Sequence, residues 1–312
     1  MSHPAIADKA GQAPERTRGY LEVGLASLAN GSIGVMVTYA DMPATMLLCL
    51  RMVFAAVSLG VVVAATGSWR DLRTPRAPLR VLGISVALAL NLILYFLAIR
   101  TTGVAVAIFL SYLAPVYLAF VAPRILRERT EPVVYLALAL GLTGMALILV
   151  PGPLLEGVKL SAPGLFCGWA AGVMYMVYLL FAKSLRALHV RSTPVVFAQS
   201  AFTAAVMVIP GVVAVGAAHY RFTGVDLLMA ALLGLVTTAF SFSLFMDGLH
   251  YIRVQHAGII GYVEPVSAPL YALIFLGQVP SGWTVAGGAL IVAAGILVVL
   301  YARGEPELEP LG

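Results

Sequence analysis

Charge is what this chain has least of. Only 11% of its 312 residues are charged while 61% are hydrophobic, whereas a soluble domain charges about a quarter of its residues. So little charge leaves no polar shell to face water, and a mean hydropathy of +0.97 along the chain excludes a soluble domain with a single anchor. Cysteine is almost missing: Cys49 and Cys167 both fall inside apolar stretches, which excludes the disulfide framework of a secreted scaffold. Lysine occurs only as Lys9, Lys159 and Lys183, none in the Gly-Lys-Ser/Thr setting that cradles phosphates, so the chain has no ATP site of its own. It has no His-Glu-x-x-His helix and no Gly-x-Ser-x-Gly elbow, and His3, His189, His219, His250 and His256 lie in the tail or near helix ends. No cofactor, no metal and no enzymatic activity are expected. The net charge of +5 comes from short basic clusters between apolar runs, not from a basic domain, which argues against nucleic acid as a partner.

What the chain has is apolar length. Windows of ~20 residues, enough to cross a hydrocarbon core of ~30 Å, fall near 20–38, 44–66, 79–99, 104–123, 133–150, 162–181, 194–215, 226–246, 257–276 and 283–301. These runs are too long and too evenly apolar for barrel strands, so the expected fold is an all-α integral membrane protein of ten transmembrane helices. The loops place Lys9, Arg16, Arg18, Arg70, Arg73, Arg76, Arg80, Arg124, Arg127, Arg129, Lys183, Arg186, Arg191, Arg253 and Arg303 on one side, and Arg100, Lys159 and Arg221 on the other. The richer side faces the cytoplasm, which puts both termini there and predicts a multi-pass protein of the bacterial inner (cell) membrane. Residues 1–19 read as a polar cytoplasmic tail without a cleaved signal, and 302–312 as an acidic cytoplasmic tail that suits disorder.

The chain repeats itself. At an offset of 150, Leu110 to Val116 ("LSYLAPV") meets Ile260 to Val266 ("IGYVEPV"), pairing Tyr112 with Tyr262 and Pro115 with Pro265. The same offset pairs Asn91 with Ser241, Tyr95 with Phe245 and Glu128 with Gln278, and a slip of one residue brings Leu142 to Ile148 onto Ala293 to Val299. The expected organisation is a first five-helix repeat over 20–150, a loop over 151–160 and a second repeat over 161–301. An odd number of helices per repeat inverts the second half in the membrane, and the two halves then surround a central cavity.

The candidate chemistry lies where helices break. Pro115 interrupts the fourth span and Pro265 with Pro269 the ninth, which makes these three the expected hinges. Glu264 directly precedes Pro265 near mid-membrane, where a carboxylate costs ~3 kcal/mol unless it meets a wet cavity or a partner. It can bind a cationic group, carry a proton or anchor the kink by accepting freed backbone amides; its repeat counterpart is Ala114. Neutral polar residues complete a binding wall: Asn30 on the first span, Asn91 and Tyr95 sharing a face of the third, Ser241 and Ser243 on the eighth. Tyr112, Trp169, Tyr175 and Tyr262 add aromatic surfaces for flat or cationic solutes, although Ser and Asn also serve as bonds between helices. Arg51 can snorkel outward or pair with Asp41, a structural role, and Asp247 and His250 read as a solvated helix end. Gly168, Gly172, Gly141, Gly144, Gly287 and Gly288 are scaffold positions for close helix approach.

The stretches "PVYLAFVAPRILRERTEPVVYLALALGLTGMALIL" and "YVEPVSAPLYALIFLGQVPSGWTVAGGALIVAAGIL" resemble the two halves of the EamA-type drug/metabolite transporter superfamily, over Tyr20 to Tyr301. The matching positions are Pro115, Glu128, Gly144, Glu264, Pro265 and Gly295, with Gln278 departing from an acidic residue. The resemblance implies two inverted five-helix units and a cavity formed largely by helices one, three, four, six, eight and nine. Within the superfamily the chain is most similar to bacterial aromatic amino acid exporters. The function expected is export of small organic solutes, amino acids foremost, by alternating access; export of organic cations as a multidrug or metabolite carrier is the alternative. A channel would need a continuous water path and an intramembrane enzyme a catalytic pair, and neither is legible. The expected partners are a small-molecule substrate, amino acids foremost, and the lipid bilayer; a monomer is compatible with the sequence, which does not set the oligomeric state.

Overall fold

The computed structural model of the protein describes residues 4–126, 130–149 and 161–301, with side chains from residue 14 onward. Glu128, the expected loop 151–160 and the tail 302–312 lie outside the described residues. Among the described residues there is no strand, and ten helical spans are long and apolar enough to cross a membrane. In hydrocarbon every backbone N–H and C=O must be satisfied within the chain, and uninterrupted apolar runs achieve this only as helices.

The first span is α1 (Pro4–Asn30) followed after a break by α2 (Ile33–Thr38), and the second is α3 (Ala44–Thr66). The third is α4 (Ala77–Thr102); the fourth is divided into α5 (Val104–Ser111) and α6 (Ala114–Ile125); the fifth is α7 (Pro132–Leu149). The second half runs α8 (Ala162–Ala187), α9 (Ser192–Ala218), then α10 (Gly224–Leu232), a π-helical stretch (Leu233–Phe240) and α11 (Ser241–Gly248) as its third span. Its fourth span is divided into α12 (Val254–Ile260) and α13 (Val263–Leu276), and α14 (Gly282–Tyr301) is the last. The polar segment expected as a tail up to residue 19 is helical from Pro4 and continuous with the first span, because Ala5, Ala7, Lys9, Ala10 and Gln12 are good helix formers.

Two halves of five spans each are held by close helix approach. A Cβ on Gly172 of α8 would meet the Leu110 carbonyl oxygen of α5 at 2.6 Å. Gly144 of α7 and Gly287 of α14 face each other's carbonyl oxygens, so the last spans of the two halves touch backbone to backbone. Such contacts need residues without side chains. A continuous core of small and branched residues fills the bundle around Leu118, Met145, Leu179 and Ile259, and a second, methionine-rich cluster (Met42, Met46, Met52, Met207) joins α3, α9 and α10. Outside, Val61, Ile209, Val213, Ile274 and Phe275 stay exposed, an apolar surface that lipid accepts and water would not.

Candidate functional site

The site is built by missing backbone hydrogen bonds. Proline has no N–H, so in the fourth span the chain turns at Tyr112–Leu113, with Val116 N donating to Leu113 O at 2.9 Å. This leaves the Tyr112 carbonyl without its helical donor, and the Tyr262 hydroxyl of the other half takes it at 2.9 Å. In the ninth span the chain turns at Gly261–Tyr262, where Glu264 N donates to Gly261 O at 3.1 Å. The two interruptions occupy the same positions under the offset of 150 and meet in space: the Tyr112 and Tyr262 rings stack with centroids 6.1 Å apart, and Pro115 packs against Gly258. The first span breaks at Gly31–Ser32, where Gly31 lies so close to the Ser267 side chain of α13 that no Cβ would fit.

Glu264 stands in the first turn of α13, enclosed by protein yet with part of its surface open, as a side chain lining an internal cavity would be. Its carboxyl group has the Tyr112 hydroxyl and the Asn30 amide as hydrogen-bonding neighbours and the Arg51 guanidinium as a counter-charge. Asn30 is fixed from behind by the Ser241 hydroxyl, whose oxygen lies 2.8 Å from Asn30 Oδ1 and 2.8 Å from Ala26 O. Tyr95 and Tyr175 lie within electrostatic reach of the carboxylate, and Tyr175 stacks on Tyr178 at 6.0 Å.

Arg51 departs from expectation. It turns neither outward nor to Asp41, whose backbone N–H goes instead to Asp226 Oδ1 at 3.0 Å. Its Nε donates to Thr238 Oγ1 at 2.6 Å and its Nη2 to the Thr237 carbonyl at 3.2 Å, and the guanidinium lies 5.9 Å from the Phe242 ring centroid. The π-helical stretch makes this possible: winding the backbone wider leaves carbonyls off the i→i+4 ladder, and Gly234 lets α3 approach within 2.6 Å of where a Cβ would be. The second span therefore meets the eighth at this site.

The structure thus brings Asn30, Tyr95, Tyr112, Tyr175, Ser241, Tyr262 and Glu264 into one region with Pro115 and Pro265, the prolines expected as hinges, and Pro269 lies one turn beyond within α13. Asn91 serves as an interhelical bond, its Nδ2 donating to Ala171 O at 2.8 Å. Its repeat mate Ser241 bonds Ala26 O, so each half reaches for a carbonyl on the first span of the other. The Ser243 hydroxyl is buried and has no hydrogen-bond partner among the described residues. Trp169 stands apart, 47% exposed and packed on the still more exposed Phe166. At the far end of α11, Asp247 lies 3.5 Å from Arg186 Nη1, and burial, with Arg186 and Lys183 nearby, holds the His250 ring below the usual histidine range. Sequence reasoning missed Arg51, Thr237, Thr238 and Phe242 as members of this site; the lone arginine inside an apolar span was the signal available.

The model of the EamA-like transporter family matches the chain twice, over residues 17–150 and 162–301. An uncharacterized transporter of Archaeoglobus fulgidus is 31% identical over 249 residues, covering 80% of this chain and 86% of that protein. The threonine/homoserine exporter RhtA of Salmonella typhimurium is 27% identical over 252 residues, covering 80% of each. The uncharacterized inner membrane transporter YicL of the same species is 29% identical over 298 residues, 92% of this chain and 96% of its own. A crystal structure superposes with a TM-score of 0.76 at 23% identity over 92% of this chain and 99% of that one, which is likeness of fold.

Proposed function

Because this chain belongs to the EamA-like transporter family, we propose that it exports amino acids, aromatic ones included, by alternating access at the cavity bounded by Asn30, Tyr112 and Glu264. The observation that carries the reading is the convergence of three interrupted spans on one carboxylate with hydrogen-bonding groups aimed at it. Broken helices at corresponding places in two inverted halves are where such carriers bind their solutes. Glu264 supplies a partner for an ammonium group, Asn30 a neutral polar contact, and the faces of Tyr95, Tyr112 and Tyr175 a bed for a side chain of variable shape. The two halves, 20–150 and 161–301, rock about Pro115 and Pro265. The likeness to a threonine/homoserine exporter supports an α-amino acid as the cargo class.

The lopsided distribution of Lys and Arg supports cytoplasmic termini in a bacterial inner membrane. A fluorescent reporter that matures only in the cytoplasm, fused after Gly312, should light up, and a periplasm-dependent phosphatase there should stay silent. Organic cations are the second reading, supported by a carboxylate among tyrosines. The deciding experiment is uptake of labelled phenylalanine and threonine into proteoliposomes, challenged by unlabelled amino acids and by organic cations. Saturable uptake blocked by amino acids and lost in Glu264→Ala supports the proposal; competition by cations alone replaces it with the second reading.

A further inference from the structure

Arg51 and Glu264 are the two opposite charges set deep within the spans at one site, and they do not touch. No ion pair within 4.0 Å joins them, although each acts on the other electrostatically. Each is instead fixed on its own side. Arg51 is held by Thr238 Oγ1 and the Thr237 carbonyl through Nε and Nη2, and a guanidinium carries five N–H groups, so those on Nη1 and the second on Nη2 remain for something else. Glu264 has Tyr112 and Asn30 as neighbours.

Opposite charges in a low-dielectric interior gain most by closing into contact, and these two are kept from it by hydrogen bonds to separate helices. Both keep part of their surface open, which leaves each charge accessible to a bound molecule. A bound group that presents an anion to Arg51 and a cation to Glu264 would complete both.

We propose that Arg51 and Glu264 form a two-ended clamp for the zwitterionic head of an α-amino acid, with the substrate carboxylate on the Arg51 guanidinium and its ammonium on the Glu264 carboxylate. This rests on the amino acid reading above and goes beyond it by naming the carboxylate site and what that site rejects. A guanidinium matches a carboxylate in plane and can bond it in pairs. A cation without a carboxylate leaves Arg51 facing a like charge with its N–H groups unpaired, and an anion without an ammonium does the same to Glu264; unpaired desolvated charges are how a site excludes analogues. The clamp therefore favours zwitterions over the organic cations that a carboxylate among aromatic rings would otherwise accept. Phe242 lies by Arg51, and Tyr95 and Tyr175 lie within electrostatic reach of Glu264, aromatic surfaces that would receive an apolar or aromatic side chain.

The test is a competition series on the reconstituted wild-type protein, with labelled phenylalanine and threonine as probes. The competitors are phenylalanine, its methyl ester, N-acetylphenylalanine and phenethylamine. Phenylalanine should compete, and each derivative that lacks one end should compete roughly tenfold or more weakly. In Arg51→Gln the preference should invert, phenethylamine and the ester gaining on phenylalanine, whereas Arg51→Lys should retain part of it. Because Arg51 also bonds Thr238, each variant is first checked for a monodisperse elution profile, and the wild-type series stands without them. Thermal shifts of the purified protein with the same four ligands give a readout independent of transport direction. Uptake of amino acid with the ester or the amine competing as well as phenylalanine overturns the clamp and leaves amino acid export standing. Neither uptake of an amino acid nor a thermal shift with one overturns both.

Discussion

Tyr112 and Tyr262 hold the same place in the two halves, stack at 6.1 Å, and spend their hydroxyls differently. Tyr262 donates to the Tyr112 carbonyl at 2.9 Å, while the Tyr112 hydroxyl faces the Glu264 carboxyl group. The difference follows from one position: Ala114 stands where the second half has Glu264. Tyr262→Phe should therefore lower stability by about 1 kcal/mol, the worth of one hydrogen bond between membrane helices, read as a lower melting temperature in detergent. Tyr112→Phe should leave melting nearly unchanged and instead weaken uptake of labelled amino acid.

The backbone contact between α7 and α14 predicts a steric result. Gly144→Val must push the Gly287 carbonyl away and should cost about 1–3 kcal/mol by overpacking. Gly216→Val, on α9 with nothing within 4 Å of its would-be Cβ, should leave the melting curve in place.

Lys183 entered the topology as a loop charge, yet it is 1% exposed, and its ammonium donates to the Leu249 and Ile252 carbonyls at 2.7 Å each. It acts as a stitch across the connection between α11 and α12. Lys183→Met should strand both carbonyls and destabilise by about 2–5 kcal/mol, seen as loss of the monodisperse peak on mild heating.

At the basic end, Arg191 Nε and Nη2 grip Asp71 at 2.7 and 3.2 Å, and these hydrogen bonds hold the Asp71 carboxyl below its ordinary 3.8. A depressed acid adds stability above its unfolded pKa, and that stability disappears as pH falls through the native value. Asp71→Asn should therefore cost less than about 1 kcal/mol near neutrality, because Arg191 is largely exposed and solvent screens the pair. The deficit should shrink in high salt and vanish below ordinary carboxylate pH, as melting temperatures of the two proteins across pH would record.

The spans were legible because hydropathy over a bilayer's width is a strong signal, and the breaks at Tyr112 and Tyr262 because proline marks them. Which face of a span looks inward was far less so. Trp169 reads as a cavity aromatic, but α8 is apolar around its whole girth and lipid asks no polar face of it, so periodicity could not orient the ring. Arg51 was visible as an oddity, but a long side chain can reach in several directions, and its anchor is a π-helical stretch whose winding no residue type announces. Asn91 fell between, polar and inward as expected, yet bonded to Ala171.

That wide stretch from Leu233 to Phe240 has a consequence for how the eighth span can move. A prolyl kink bends; a π-helical turn stores extra winding. Rewinding by one residue to α geometry would spin Ser241 and the rest of α11 by about 100° around the span's own axis. Such a turn would carry Ser241 off Asn30 and Phe242 off Arg51 in one stroke. The two hydrogen bonds from Arg51 to Thr237 and Thr238 are placed to resist it. A span wound in this way could change by rotation about its own axis and not only by bending.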